Sequence, residues 1–301
     1  MQCNGRLKLS GGVERRLLSD RRGGIMEFTS DVLTLKVDGH VATLWLDREE
    51  ARNAMGSALW RDLPRAAAAV SSDPQIRVLV IAARGPHFTV GLDLKEFGVG
   101  LGGGNSEGAS KATINAHSYK GLRTMQESVT AIAELDVPVI AAVHGYCIGG
   151  GVDLICACDI RLASGDAKFS VREAKVAIVA DLGTLQRLPK IVSAGHVAEL
   201  AFTGKDIDAS RAAAIGLINS VHGEGTEDVL KAAYELAREI AANSPLAVQG
   251  TKAVLAANDG HTVDEGLEFV ARWNTMYLPS NDIKEAMTAF LERRAPVFEG
   301  N

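Results

Sequence analysis

Three short, largely apolar runs limit what this chain can become: Arg77-Val-Leu-Val-Ile-Ala82, Val137-Pro-Val-Ile-Ala-Ala-Val143 and Asp159-Ile-Arg-Leu-Ala163. Each is too short for a helix of its own; the first two read as buried strands and Asp159–Ala163 as a third strand. Helical patterns separate them, at 57–70 (with Pro64 as an interruption), 109–135 and 149–158. Two further β-rich runs, 32–37 and 41–46, are joined through Asp38-Gly39, a hairpin signal. Buried strands alternating with helices predict an α/β core. After about residue 225 the pattern changes to amphipathic helical spacing, at 228–242, 245–257, 263–273 and 281–294. Ser244-Pro245 is a helix start signal and Asn258-Asp-Gly260 a stop. The expected organisation is an α/β core over 26–225 and a helical region over 226–301 that docks on the core or on a neighbouring subunit. Residues 1–25 hold six Arg/Lys and two acids but no apolar signal-peptide segment. They are expected to be a disordered extension, with Met26 as a natural alternative start.

Bulk properties exclude several function classes. The net charge of −5 argues against nucleic acid as the main partner. No apolar run approaches the length of a membrane span. The four cysteines, Cys3, Cys147, Cys156 and Cys158, contain no C-x-x-C spacing and read as reduced packing thiols in a reducing compartment. The expected location is a bacterial-type cytoplasm, with the mitochondrial matrix left open. The C-terminus is not a peroxisomal tripeptide of the S-K-L type. The seven histidines show no zinc-ligand spacing, so no metal is expected.

Two motif matches are decoys. Gly98, Gly100 and Gly103 fit G-x-G-x-x-G, but they follow no strand directly and sit in the glycine-rich stretch 98–108, which is expected to be a flexible loop. Gly104, Ser106 and Gly108 fit a nucleophile elbow without the apolar strand that motif needs.

The chemistry concentrates elsewhere. After the strand ending at Val143 the chain turns and a helix opens on Gly149-Gly150-Gly151. Helix N-termini expose unpaired amides, and glycine lets a ligand approach them. Tight helix–strand packing is the plain alternative. Asp153 shifts the balance, because a carboxylate in an apolar helix is costly unless paired or neutralised. A second turn-and-helix, Phe88-Thr-Val-Gly-Leu-Asp93, could supply a second amide, and two amides from two strand ends would make an oxyanion hole. Glu173 and Asp181 follow in an equally apolar setting. Three such acids beside glycine-freed amides point to proton transfer.

These residues resemble the crotonase (enoyl-CoA hydratase/isomerase) superfamily from about Val32 to the C-terminus. The anchors are Arg52-Asn-Ala54, Phe88-Thr-Val-Gly-Leu-Asp-Leu-Lys95, Pro138-Val-Ile-Ala-Ala-Val-His-Gly145, Gly149-Gly-Gly-Val-Asp-Leu154, Cys158-Asp159 and Gln186-Arg-Leu188. The resemblance implies a spiral of ββα turns followed by a helical trimerisation region, assembled as a homotrimer or dimer of trimers. It implies an acyl-CoA thioester substrate and no separate cofactor. It places the oxyanion amides on Leu92 and Gly150, and the thioester and CoA path along Arg52, Ala54, Val90, Gly91, Asp93, Leu94, Gly149 and Gly151. For Arg52 and Lys95, solvated surface charge is the default. Asp159 is expected to pin the core rather than react. Hydratases of the superfamily usually carry glycine eight residues after the acid matched by Glu173; Asp181 stands there instead. Asp153, Glu173 and Asp181 together look like the Δ3,5-Δ2,4-dienoyl-CoA isomerases. Glu173 would then serve C2, Asp181 would serve C6, and Asp153 would tune or orient them. An enoyl-CoA hydratase, with Asp153 and Glu173 flanking a water, is the second reading. A non-catalytic acyl-CoA-binding homologue is the third.

Overall fold

The computed structural model describes residues 28–101 and 109–301. The expected extension over 1–25 lies outside them, as does the expected loop from residue 102 onward. Strands β1 (Phe28–Thr29), β2 (Leu33–Asp38), β3 (Val41–Leu46), β4 (Val78–Ala83), β5 (Val139–Val143), β6 (Tyr146–Ile148), β7 (Ile160–Ala163), β8 (Lys168–Ser170), β9 (Ile207–Asp208) and β10 (Ser220–Val221) alternate with helices. The core helices are α1 (Ser57–Ser72), α2 (Leu94–Leu101), α3 (Lys111–Ala133), α4 (Gly150–Cys156), α5 (Thr184–Arg187), α6 (Ala194–Thr203) and α7 (Ala209–Ala214). Then come α8 (Thr226–Ala241), α9 (Pro245–Ala257), α10 (Val263–Tyr277) and α11 (Asn281–Glu292).

A seven-stranded sheet runs β1-β2-β3-β4-β5-β7-β10, and a three-stranded sheet runs β6-β8-β9. The β2–β3 hairpin is antiparallel, closing at Asp38 opposite Val41, and β3, β4, β5 and β7 pair in parallel. Both faces of this sheet are covered. Leu79 and Ile81 face a large core that includes Leu59, Leu63 and Val70 of α1, while Val78, Val80 and Ala82 face a second core. There α8 contributes Val229, Ala233, Ala237 and Ala241 at four-residue spacing. Double burial is why β4 and β5 carry no polar residue.

Pro64 does not break α1, which runs through it. The apolar stripe Leu59, Leu63, Ala66, Ala67 and Val70 is fully packed and holds the helix despite the missing amide. The glycine-rich stretch is corrected at its start: α2 extends over Gly98, Gly100 and Leu101, so these residues are helical rather than loop. Asp159 pins the core as expected, accepting from Val139 N (2.7 Å) and pairing with Lys252 of α9 at 2.7 Å. No helix among the described residues is long and apolar enough to cross a membrane.

Candidate active site

Two turns at strand ends form the floor of the site. After β4, Phe88 N donates to His144 O (2.9 Å), Thr89 N to Tyr146 O (2.8 Å), and Ile148 N returns to Thr89 O (3.2 Å). These bonds lay residues 88–92 alongside β6. Met55 N then donates to Gly91 O and Asp93 N to Met55 O, at 2.8 and 3.0 Å. Gly91 sits at φ +83, and a Cβ there would stand 2.7 Å from Ile148 O, so only glycine lets the first turn touch the second. The second turn is Gly149, at φ +54, whose N–H donates to Ser170 O at 2.9 Å. Gly150 and Gly151 are constrained by space: a Cβ would press on Met55 Sδ at 2.8 Å in one case and on Thr89 Cγ2 at 2.5 Å in the other. Among the described residues, neither the Leu92 nor the Gly150 N–H has a hydrogen-bond acceptor. Gly150 opens α4, where the first N–H groups have no partner within the helix.

The three acids surround these turns. Asp153 is 1% exposed on the wholly buried α4, and its Oδ1 accepts from Thr184 N at 2.5 Å. Burial pushes its carboxyl up to about 6 against the pull of the Thr184 hydrogen bonds. Glu173 begins a short 3-10 turn after β8, and its Oε1 lies 3.3 Å from where a Gly149 Cβ would be. Its Oε2 is buried and, among the described residues, has no hydrogen-bond partner. Burial, reinforced by the charges of Asp153 and Asp181, raises Glu173 to about 7. Asp181 is half-buried and raised from the usual aspartate range by burial. Burial raises the proton affinity of all three acids, and Glu173, at about 7 and with a buried oxygen unpartnered among the described residues, is equipped to exchange a proton near neutral pH.

The other sequence-predicted residues divide by role. Arg52 and Asn53 adopt consecutive left-handed conformations. Asn53 is the anchor of the pair, donating to Arg84 O and His87 O, both at 2.9 Å. Arg52 is exposed, and Ala54 and Val90 are half-buried. Asp93 is not free for a ligand: it pairs with Arg48 at 2.8 Å and accepts from Lys95 N at the start of α2, which keeps its carboxyl below the usual range. Its part is to hold the Leu92 turn. Leu94 is half-exposed on the first turn of α2. Cys147, Cys156 and Cys158 are free and buried, with Cys156 and Cys158 pushed up to about 12 by burial, so they are unreactive packing groups. Among the described residues no cluster could hold a metal. A recess of about 890 Å³ between α9–α11 and the sheet, lined by residues such as Leu255, Trp273 and Phe298, contains none of the three acids.

Sequence reasoning missed Met55, Trp60, Thr184 and Gln126. Met55 and Trp60 back Gly150, Thr184 holds Asp153, and Gln126 Nε2 donates to Asp181 O at 2.7 Å. A polar side chain next to the apolar stripe Leu122, Met125, Val129 and Ile132 was the available signal for Gln126.

A family profile described as enoyl-CoA hydratase/isomerase matches residues 36–301. The chain belongs to that family. It is 44% identical to the mitochondrial Δ3,5-Δ2,4-dienoyl-CoA isomerase of Dictyostelium discoideum over 87% of this chain and 88% of that one. It is 39% identical to the peroxisomal enzyme of the same name from Arabidopsis thaliana, over 90% and 96%. The crystal structure of an enoyl-CoA hydratase from Bacillus anthracis superposes with a TM-score of 0.80 at 27% identity, covering 90% of this chain and all of that one. The fold expected from the sequence, an α/β crotonase-like core with C-terminal helices, is the fold observed. As a member of the enoyl-CoA hydratase/isomerase family, the chain is an enzyme.

Proposed function

We propose that this enzyme converts a 3,5-dienoyl-CoA to the 2,4-dienoyl-CoA. The observation that carries the reading is Asp181: a third acid, raised in proton affinity by burial, stands within electrostatic range of Glu173 and Asp153. Adding water across a 2-enoyl thioester has no use for it. The named activity of the relatives at 39–44% identity supports the same reading.

In the proposed mechanism the thioester oxygen sits between the Leu92 and Gly150 N–H groups. Glu173 takes the C2 proton, and that bond's electrons become the C2–C3 double bond. The C3–C4 pair moves to C4–C5, and the C5–C6 pair takes a proton from Asp181 at C6. The extended enolate between these events places negative charge on the oxygen, where each amide donor contributes on the order of 10²–10³ in rate. Protons and double bonds move without net oxidation, so the balance requires no redox cofactor; CoA arrives as part of the substrate. Asp153, tied to Thr184 N, orients the segment bearing Asp181. The path for CoA is assigned to the mouth formed by Arg52, Ala54, Val90 and Leu94, with Gly91, Gly149 and Gly151 giving the thioester its room. The assembly is proposed to be a trimer or dimer of trimers. Exposed apolar side chains on α10 and α11, among them Met276 at 72% and Phe290 at 80%, support a partner surface there.

The test is a paired assay. A rise in conjugated 2,4-dienoyl absorbance from a 3,5-dienoyl-CoA, with little hydration of a 2-enoyl-CoA, is the expected result. Rapid hydration with no isomerisation would make Asp181 a bystander and support a hydratase.

A further inference from the structure

The segment carrying Asp181 has almost no secondary structure of its own: it lies between the Glu173–Val176 turn and the four-residue α5. Its order comes from outside. Gln126 of α3 donates to Asp181 O at 2.7 Å. The next carbonyl, Leu182 O, accepts from Arg187 Nη1 at 3.3 Å. Arg187 Nη2 in turn donates to Thr130 Oγ1 at 3.0 Å. Gln126 and Thr130 are four residues apart, so they lie one turn apart on the same face of α3. Gln126 is itself oriented: its Oε1 accepts from Arg123 Nη1 at 2.8 Å, which leaves the amide NH₂ to face Asp181 O. On the far side, Asp153 accepts from Thr184 N. The two peptide units flanking Leu182 are therefore held by one donor from α3, Gln126, and by Arg187 of α5, which Thr130 of α3 anchors; the Gly183–Thr184 peptide is held by an acceptor on α4, Asp153.

An aspartate side chain has only two rotatable bonds beyond its backbone. Where its carboxyl can sit is set mainly by the orientation of the peptide that bears it. Gln126 touches no reacting atom in this geometry, yet it holds that peptide. We propose that Gln126 is a positioning residue that fixes the Asp181 peptide from α3, and, together with the Arg187–Thr130 contact, sets where the distal proton is delivered. The inference rests on the isomerase reading above. It assigns to α3 a second duty beside packing: its inner face carries Leu122, Met125, Val129 and Ile132 into the core, and Gln126 and Thr130 to the moving end of the reaction. A displacement of about 1 Å at a reacting group can cost on the order of 10²-fold in rate, so a lost peptide anchor is expected to lower kcat by about 10- to 100-fold.

The experiment compares wild type with Gln126→Met, which keeps the volume and removes the donor. Two readouts are taken: kcat and KM for a 3,5-dienoyl-CoA, and exchange of the C2 proton of a 3-enoyl-CoA in D₂O. The second probe needs Glu173 and the oxyanion amides but has no diene to be protonated at C6. The expected result is a kcat loss of 10-fold or more with KM within about twofold and C2 exchange unchanged, at the kcat scale just given. An unchanged kcat overturns the inference. So does an equal fall in kcat and C2 exchange, which would mark general damage to the fold. Should Gln126→Met fold poorly, Gln126→Glu keeps the length and the Arg123 contact while removing the donor, and the same two readouts decide. A wild-type enzyme that exchanges C2 but never isomerises the dienoyl ester would overturn the isomerase reading itself, a result distinct from either failure of the variant.

Discussion

Helix α4 and the segment 173–181 both bring acids to the same pair of glycine turns, and they hold them in opposite ways. Every residue of α4 is buried, and Asp153 is 1% exposed with an oxygen tied to Thr184 N. Across 173–181 most residues are half-buried or exposed, and one Glu173 oxygen is buried with no partner among the described residues. A carboxylate whose oxygen is already committed to a backbone amide is a poor proton carrier and a good strut. A carboxyl with a spare, unpartnered oxygen is the reverse. The contrast explains how three acids can share a site without sharing a role.

The comparison breaks most readily at the two acids of the looser segment. Glu173→Gln and Asp181→Asn are each expected to lower kcat on a 3,5-dienoyl-CoA by roughly 10²–10⁴-fold, the range typical of a lost general acid or base. Steady-state rates at fixed pH check this. If Asp153→Asn cost as much as either, the division into strut and carriers would be wrong. That variant is expected to cost only about 10- to 100-fold, the scale of a misplaced group.

Asp153→Asn should also change stability with pH, an effect that burial predicts in the same direction for Glu173→Gln. Burial raises the Asp153 carboxyl from 3.8 to about 6, so ionising it opposes folding by on the order of 3 kcal/mol at about 1.4 kcal/mol per pH unit. The sign follows from the raised value: the folded state is favoured below the ordinary carboxylate range, and that advantage is lost as pH rises through about 6. Asparagine keeps an acceptor for Thr184 N without the charge. The variant should therefore be more stable than wild type at pH 8 and nearly equal at pH 4, as read by denaturant midpoints. Equal stability at both pH values would remove burial as the cause.

The pH profile sharpens the carrier side. The working form is the singly protonated Glu173–Asp181 pair, whichever member holds the proton. With Glu173 at about 7 and Asp181 raised by burial, the rate should follow a bell whose alkaline limb falls near pH 7. Burial favours the proton on Glu173, so the forward shift uses the less populated arrangement of that same form. A plateau extending to pH 9 would contradict the assignment.

The smallest effect is expected far from the turns. Asp159 is pinned as firmly as Asp153, by Val139 N and Lys252, yet it contacts none of the three acids. Lys252→Met should cost about 1 kcal/mol of stability and leave kcat unchanged. A change in kcat would mean that pinning alone, rather than place, confers a role.

Much of this was legible in the chain. Strands β4 and β5 announced themselves because a strand covered by α1 on one face and α8 on the other has no polar position to disguise it. Glu173, Asp181 and the glycine turns stood out because acids in apolar runs need a reason. The three-stranded sheet β6-β8-β9 did not, since strands of two or three residues are too short to carry a period. The glycines at 98 and 100 disguised the end of α2, because glycine is a poor helix former that packing can override. The Asp153–Thr184 and Gln126–Asp181 bonds span 31 and 55 residues, and nothing local in the sequence marks them.

The most direct measurement follows deuterium from D₂O into the 2,4-dienoyl product, for wild type and Asp181→Asn, by NMR. The account predicts deuterium at C6 with wild type, and with Asp181→Asn continued exchange at C2 but at least 10²-fold slower labelling at C6. Labelling of C6 by Asp181→Asn at the wild-type rate would contradict it, and would return Asp181 to the status of a bystander.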